Sequence, residues 1–382
     1  MSAAATTIAS GGCRTAAVRR RGELLEIRRH CAARWGEELI DLSRSEPIAV
    51  WPGTSEPCDV WAMTRRYPPI AGLPAARAAV ARAYAQQLGC ELTEHDVVLV
   101  PGALAGITVA LLALVDGGEV LVPVPCYPPS LAQVELAGAV PLAIDTEPTG
   151  WRLTPEAVER ARGPRTRALL LSNPANPTGV VYTAGELRQL AAAAGPEVLL
   201  IADEVYGEFA YDGPAASLAG VLGRERDAWL VVRSASKTIG RPGLRVGALL
   251  GPRDLLAQVA AVAASFVGGV SVPAQLAFSA ALPAVRGSDH MRPYRRRREQ
   301  VLARLAAIGF EAHAPQGTYY VWAGGPPGMR LGTSAGVREL ADRAGVIVAP
   351  GEHYCGSSRH LRISLSVRAA ELAAGLDRLA AA

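Results

Sequence analysis

Residues 168–179 read ALLLSNPANPTG, an apolar run that ends in a polar turn. Two later stretches have the same form: residues 198–206 read VLLIADEVY, and residues 229–237 read WLVVRSASK. Short continuous apolar runs are typical of strands that are buried on both faces of a parallel sheet. Because ligands bind beyond the carboxyl ends of such strands, the three polar segments are predicted to meet at one site.

The alternation of apolar runs and helical patterns continues on both sides of these stretches. Further strands are predicted at residues 97–100, 120–124, 140–144 and 245–250, and helices at 75–88, 104–114 and 131–137. After residue 290 the pattern changes to an Arg-rich helix at 294–307, short strands at 319–323, 346–348 and 361–365, and a final Ala-rich helix. This order predicts an α/β domain followed by a smaller α+β domain.

Composition limits the class of protein. The chain has 382 residues, of which 50% are hydrophobic and 19% charged, and this suits two well-packed domains. A net charge of +4 gives no support for a nucleic-acid or membrane partner. The six cysteines are scattered without metal-ligand spacing, so we expect no metal site and a cytoplasmic, reducing location. The N-terminus lacks the apolar core of a signal peptide.

Lysine is almost absent from the chain. Of the 39 lysine and arginine residues only Lys237, at the end of the third stretch, is a lysine. A guanidinium stays protonated and cannot act as a Schiff-base nucleophile, whereas a lysine amine can. Either codon bias has left one lysine by accident, or this position needs an amine. The count alone does not decide between them, so the decision rests on the neighbouring residues.

Each polar segment also has a purely structural interpretation. Asn-Pro-Thr-Gly forms a favourable turn, and an aspartate directly after a strand often caps a helix. The order of all the segments, each near a strand end, is harder to explain in this way. Residues 41–366 resemble the class I/II aminotransferases of pyridoxal 5′-phosphate (PLP) fold type I, on the evidence of Asn-Pro-x-Asn-Pro-Thr-Gly, Asp-Glu-x-Tyr and Ser-x-Ser-Lys taken together.

The resemblance implies a fold and a set of boundaries. We expect an α/β large domain with a mainly parallel central sheet flanked by helices at residues 51–285, and a smaller α+β C-terminal domain at 286–382. We expect residues 22–50 to pack on the small domain, and residues 1–21 to form a flexible leader.

The resemblance also implies catalytic roles at the strand ends. Lys237 would hold PLP as a Schiff base and carry a proton between the substrate and the cofactor. Asp203 would pair with the pyridinium nitrogen and keep it protonated, so that the ring acts as an electron sink. Tyr206 and Asn176 would hydrogen-bond the phenolate oxygen of the ring.

The cofactor phosphate and ring need further groups. Helix N-terminal amides bind anions, so the turn that opens the helix near residue 104 is a candidate phosphate site. Tyr127 is predicted to stack on the ring, with an ordinary core tyrosine as the alternative. The residues expected to hold the phosphate are Gly102, Ala103, Leu104, Ser234, Ser236 and Arg245.

Three more positions concern the substrate and the assembly. Arg362, inside an apolar strand, matches the arginine that grips the substrate α-carboxylate, beside Asn176. Tyr67 resembles the tyrosine that reaches the phosphate of the neighbouring subunit, which implies a homodimer with shared active sites; an ordinary aromatic residue in a turn is the alternative. Ser45 stands where the family usually has glycine and is predicted to contact the substrate.

These features favour an enzyme of amino-acid metabolism or biosynthesis. The first hypothesis is an aminotransferase that exchanges an amino group between an L-amino acid and a 2-oxo acid. The alternative keeps PLP but acts as a lyase, decarboxylase or cyclase, because the cofactor supports all these reactions. A PLP-sensing transcription regulator is disfavoured, since residues 1–40 are too short for a DNA-binding module. A nicotinamide enzyme is disfavoured because no Gly-x-Gly-x-x-Gly follows the early strands.

Overall fold

The structure, a computed structural model, describes residues 27–28, 30–43, 67–223, 225–285, 289–328 and 330–381. The strands in these ranges are β1 (Ile40–Asp41), β2 (Val97–Val100), β3 (Glu119–Val124), β4 (Val140–Asp145), β5 (Thr166–Ser172), β6 (Leu199–Asp203), β7 (Trp229–Ser234), β8 (Gly247–Leu250), β9 (Glu311–His313), β10 (Tyr320–Gly324), β11 (Val346–Ile347), β12 (Ala349–Pro350) and β13 (His360–Ser364). Ser45 and the predicted leader at residues 1–21 lie outside the described residues.

The helices alternate with the strands in the first two thirds of the chain. They are α1 (Pro74–Leu88), α2 (Ala103–Leu114), α3 (Pro129–Leu136), α4 (Pro155–Ala161), α5 (Ala184–Ala194), α6 (Leu218–Leu222), α7 (Ala235–Thr238), α8 (Arg253–Phe266), α9 (Val272–Val285), α10 (Arg292–Ala307), α11 (Ser334–Ala344) and α12 (Ala369–Ala381). Of the residues before Gly36, 27–28 and 30–35 are helical. None of the helices within the described ranges is both long and apolar enough to cross a membrane.

The large sheet has the strand order β2-β8-β7-β6-β5-β3-β4. Strand β8 is antiparallel to both of its neighbours, and the other neighbouring strands are parallel. The carboxyl ends of β5, β6 and β7 therefore lie at one edge, as required for a common site. The prediction of an α/β fold with a mainly parallel sheet is confirmed.

Both faces of the large sheet are covered because successive strand residues point to opposite sides. In β2, Val97 and Leu99 join one apolar core, which includes residues of α1, α5 and α9. Val98 and Val100 join the other core, which includes residues of α2, α3 and α8. Burial on both sides explains why these strands are continuously apolar rather than alternating in sequence.

A smaller antiparallel sheet has the order β12-β13-β10-β9. Its core also contains Ile27, Cys31 and Leu42 from the N-terminal segment. The strand predicted at residues 346–348 is divided: β11 pairs with β1 in parallel, and β12 belongs to the small sheet. This pairing places the N-terminal segment beside β13, the strand that contains Arg362.

The strand predicted at residues 245–250 begins two residues later than expected. Arg245 is not part of it but lies in the left-handed region, with φ 51°, after the 3-10 turn Pro242–Leu244. The left-handed conformation of Arg245 is incompatible with the extended backbone of a strand, so β8 begins only after it, at Gly247. The turn is what brings the Arg245 side chain to the cavity described next.

Candidate active site

A cavity of about 610 Å³ lies at the carboxyl ends of β5, β6 and β7, between the large sheet and the small domain. It is lined by most of the residues that the sequence singles out. Those residues are Ala103, Leu104, Tyr127, Asn176, Asp203, Tyr206, Ser234, Ser236, Lys237, Arg245 and Arg362. Positions up to 259 residues apart in the chain, Ala103 and Arg362, therefore meet in one space.

Lys237 is placed by the abrupt end of β7. The hydroxyl of Ser234, the last strand residue, accepts a hydrogen bond from the Ser236 amide at 3.2 Å and caps the short helix α7. Side-chain capping of this kind is the usual reason for serine at a helix start. Lys237 follows on α7, and its Nζ lies 5.8 Å from the ring centroid of Tyr206. The amine therefore faces an aromatic wall of the cavity.

Asp203 ends β6 and lies in the same cavity. Burial raises the pKa of Asp203 to about 6, and a 3.2 Å hydrogen bond from the Val205 amide to its Oδ1 opposes the rise. A carboxylate that is costly to ionise alone favours a cationic partner. A pyridinium N–H is such a partner, and Asp203 thus fits the group predicted for it.

A buried ion-pair cluster supports these two residues. Arg233, only 1% exposed, lies 2.8 Å from Glu204 and 3.3 Å from Glu208, measured between guanidinium nitrogen and carboxylate oxygen. Thr238 of α7 donates to the Glu208 carboxylate at 3.1 Å. The cluster ties the loop after β6 to the helix that carries Lys237. It was missed in the sequence, where only an arginine inside an apolar run signals it.

The predicted phosphate-binding residues form a continuous polar rim. Ser234 Oγ lies 3.1 Å from Ser236 Oγ, which lies 3.4 Å from Arg245 Nη1. Gly102, before α2, has φ 87°, and a Cβ there would lie 2.8 Å from Arg245 Nη2. Gly102 itself is not among the lining residues, but its lack of a side chain lets Arg245 approach the start of α2. Hydroxyls, a guanidinium and helix-start amides fit a phosphate dianion.

Substitution of Gly102 by alanine is expected to lower the affinity for PLP about 10- to 100-fold, because Cβ displaces one charge-assisted donor of Arg245. Titration of the cofactor-free protein with PLP measures this. Gly138→Ala is the matched control, since Gly138 has a similar φ of 80° with nothing within 4 Å of the added Cβ. Equal losses in the two variants would contradict the role of the close approach.

Arg362 is held on β13 with 4% of its surface exposed. Its Nη1 donates to Asn176 Oδ1 at 2.9 Å, and its Nη2 donates to the Ser43 carbonyl at 3.2 Å. Its Nε is buried and has no hydrogen-bond partner among the residues that the structure describes. A guanidinium that is fixed in this way and still has N–H groups to donate fits a carboxylate ligand.

Tyrosines surround the guanidinium and the predicted ring site. The hydroxyls of Tyr206 and Tyr320 are 2.9 Å apart, and the Arg362 Cζ lies 3.7 Å from the Tyr320 ring centroid. Burial raises the pKa of Tyr206 well above its ordinary value. Tyr206 therefore stays a neutral phenol that can donate a hydrogen bond.

Other cavity residues were not predicted from the sequence. Those from the N-terminal segment and the small domain are Arg28, Ser43, Tyr320, His353 and Tyr354, and others, including Ile107 and Gln133, come from the large domain. Besides Gly102, two predicted residues do not line the cavity in the described part of the chain. Tyr67 is 96% exposed and does not line this cavity, and Ser45 lies outside the described residues.

The family profile for "Aminotransferase class I and II" matches residues 62–379. The chain belongs to this family. Members of the family use PLP, so the predicted enzyme class and cofactor are confirmed. The lyase, decarboxylase or cyclase alternative is not favoured.

Individual relatives agree with this assignment. A "probable aspartate/prephenate aminotransferase" of Thermus aquaticus is 33% identical over 94% of both chains. A structure of a Thermus thermophilus aspartate aminotransferase double mutant has a TM-score of 0.83 at 30% identity, covering 96% of both chains. The N-succinyldiaminopimelate aminotransferase of Mycobacterium tuberculosis has a TM-score of 0.85 at 29% identity, covering 95% of this chain and 98% of that one. The protein is accordingly a PLP-dependent aminotransferase, acting on an amino acid and a 2-oxo acid.

Proposed function

We propose that this cavity is the transamination site and that Lys237 is the residue that holds the cofactor and moves the proton. The observation that carries the proposal is that the only lysine of the chain lines the same cavity as Asp203 and Arg362. An amine, a buried carboxylate and a guanidinium are the three groups that the reaction needs. Bound PLP supplies a conjugated ring that delocalises the electron pair left when the substrate Cα–H bond breaks.

The residues of the chain then have distinct tasks. Arg362 holds the α-carboxylate and so orients the Cα–H bond towards Lys237. The Lys237 amine takes the proton from Cα and returns one at the cofactor side. Asp203 keeps the proton on the ring nitrogen, and Tyr206 and Asn176 bind the ring oxygen. Stacking on the ring is assigned to Tyr127, which lines the cavity.

The substrate proposal begins from the relatives. Their names include aspartate, prephenate and diaminopimelate aminotransferases, so L-aspartate is the first amino donor to test. The described part of the cavity contains Arg28, whose Nε lies 3.0 Å from Asp41 Oδ2 and whose Nη2 donates to Ser43 Oγ at 2.7 Å. Arg28 is thereby paired with a carboxylate of the chain, so the proposal of an acidic donor rests on the names of the relatives. Transfer from L-aspartate to 2-oxoglutarate, compared with transfer from neutral amino acids, tests the preference.

Replacement of Arg362 by leucine is expected to lower kcat/KM for the amino donor about 100-fold or more, because a buried, paired charge contact with the carboxylate is lost. The lysine variant keeps a point charge without the planar fork, so its loss is expected to be smaller, about tenfold. Steady-state kinetics with several donors measure both.

Arg359→Leu is the control for Arg362. Arg359 lies near Arg362 in the chain, pairs with Glu311 at 2.5 Å and does not line the cavity. Its replacement is expected to leave kcat/KM nearly unchanged. Equal effects at both positions would contradict carboxylate binding by Arg362.

The proposal also covers the oligomeric state of the protein, its location in the cell and its domain boundaries. We propose a cytoplasmic homodimer in which Tyr67 reaches the phosphate of the partner's cofactor, and the exposure of Tyr67 supports this. The proposed functional units are the large domain at 51–285 and the small domain at 286–382. The division of most strands between a large and a small sheet supports that boundary, and Tyr206 and Phe209 of the large domain pack into the core of the small one.

A further inference from the structure

We propose that Tyr320 is a positioning residue that connects the substrate's carboxylate-binding arginine with the tyrosine that contacts the cofactor. This inference rests on the proposed function, because it takes Arg362 and Tyr206 in the roles given above. It adds a residue that links the two halves of the site. No motif of the sequence assigns such a role to Tyr320.

Tyr320 occupies the point between the two residues. It begins β10, is fully buried and lines the cavity. Its hydroxyl is 2.9 Å from the Tyr206 hydroxyl. Its ring lies under Arg362, with 3.7 Å between the ring centroid and Cζ. One side chain thus contacts both groups with different atoms: an oxygen towards Tyr206 and a π face towards Arg362.

A bound cofactor would decide which hydroxyl donates in the hydrogen bond between Tyr320 and Tyr206. Each phenol has a single proton to donate. If Tyr206 donates its proton to the ring oxygen, its bond with Tyr320 requires Tyr320 to donate. Hydrogen bonds in such a chain polarise one another, so Tyr320 makes Tyr206 the stronger donor.

The ring contact restricts how a carboxylate can reach Arg362. A cation over an aromatic face is attracted to it, so the Tyr320 ring holds the guanidinium from that side. Asn176 and Ser43 accept one hydrogen bond each from the two terminal nitrogens, while Nε has no partner in the described part of the chain. A carboxylate must therefore bind at the edge of the guanidinium and not on the face that Tyr320 covers. Edge binding fixes the substrate's orientation.

Two variants distinguish the contribution of the Tyr320 hydroxyl from that of its aromatic ring. Tyr320→Phe keeps the ring and loses the donor to Tyr206. Without the Tyr320 hydroxyl, Tyr206 would donate a weaker hydrogen bond to the oxygen of the cofactor ring, and more negative charge would stay on that oxygen. This charge would stabilise the proton on the Lys237 nitrogen that holds the cofactor. The pH midpoint of the visible absorbance titration of the PLP-loaded protein is then expected to rise by about 0.5 to 1 unit, with KM changed less than about twofold. Tyr320→Leu also removes the ring, and KM for the amino donor is expected to rise about 3- to 30-fold.

Tyr182→Phe is the control, because its buried hydroxyl accepts from the Leu153 amide at 3.0 Å outside the cavity. It is expected to leave the midpoint and KM unchanged. An unchanged midpoint in Tyr320→Phe, or an unchanged KM in Tyr320→Leu, would overturn the inference. These outcomes are distinct from failure of the proposed function, in which the unsubstituted protein itself would show no absorbance band from lysine-bound PLP.

Discussion

Replacing Lys237 with alanine is expected to lower turnover by about 10⁴-fold or more. The variant loses the group that attaches the cofactor and, at the same time, the general base, which alone is worth about 10² to 10⁴ in rate. Because the chain has no other lysine, no neighbouring residue of the same type can substitute. Steady-state assays and the visible spectrum of the PLP-loaded variant measure the two losses separately.

Lys237→Arg and added amines test the reason for that loss. Arginine keeps the positive charge but cannot form the Schiff base, so its activity is expected to be as low as that of alanine. A small primary amine in solution supplies the missing base and is expected to restore part of the turnover of Lys237→Ala. Full activity in either variant without added amine would show that another group does the chemistry.

Replacing Asp203 with asparagine is expected to lower kcat about 10²- to 10⁴-fold, the range over which one positioned charged or proton-transferring group changes a rate. An amide is neutral and cannot hold the proton on the ring nitrogen, so the ring becomes a poorer electron sink. Asp203→Glu keeps the charge and is expected to retain more activity than Asp203→Asn. The measurement is kcat under saturating PLP, which should decrease from the unsubstituted protein to Asp203→Glu and then to Asp203→Asn.

Asp203→Asn is also expected to stabilise the folded, cofactor-free protein against unfolding at high pH. Burial raises the pKa of Asp203 in the folded state to about 6, above its ordinary value of 3.8, so ionisation opposes folding. The penalty, up to about 3 kcal/mol, is present above pH 6 and disappears as the pH falls through 6 towards 4. Urea unfolding should find Asp203→Asn more stable than the unsubstituted protein at pH 8 but not at pH 4. The reverse pH dependence would contradict the burial of this carboxylate.

Residues at strand ends were predictable from the sequence. Asp203, Ser234 and Lys237 each follow a continuous apolar run, and such runs form central parallel strands with few alternatives. Local chain geometry then places their side chains at the carboxyl edge of the sheet. Arg362 was predictable for a similar reason, since a charged residue inside an apolar strand needs a partner.

The remaining site residues depend on tertiary packing that no local pattern encodes. Tyr320 meets Tyr206 across 114 positions of the chain, and Ser43 reaches Arg362 through a backbone carbonyl, which any residue type could supply. Arg245 was assigned to a strand, although the turn before it decides where its side chain points. Long-range pairing and turn conformation are therefore the parts that required the structure.

The most direct test is the visible spectrum of the PLP-loaded protein, recorded before and after addition of an amino-acid pool that includes L-aspartate, with no 2-oxo acid present. We expect the absorbance of lysine-bound PLP to convert to that of the pyridoxamine form, with one 2-oxo acid released per site. Reduction with borohydride before the addition should attach the cofactor to Lys237. Absence of the band after adding PLP, or a band that persists while substrate is consumed, would contradict the account.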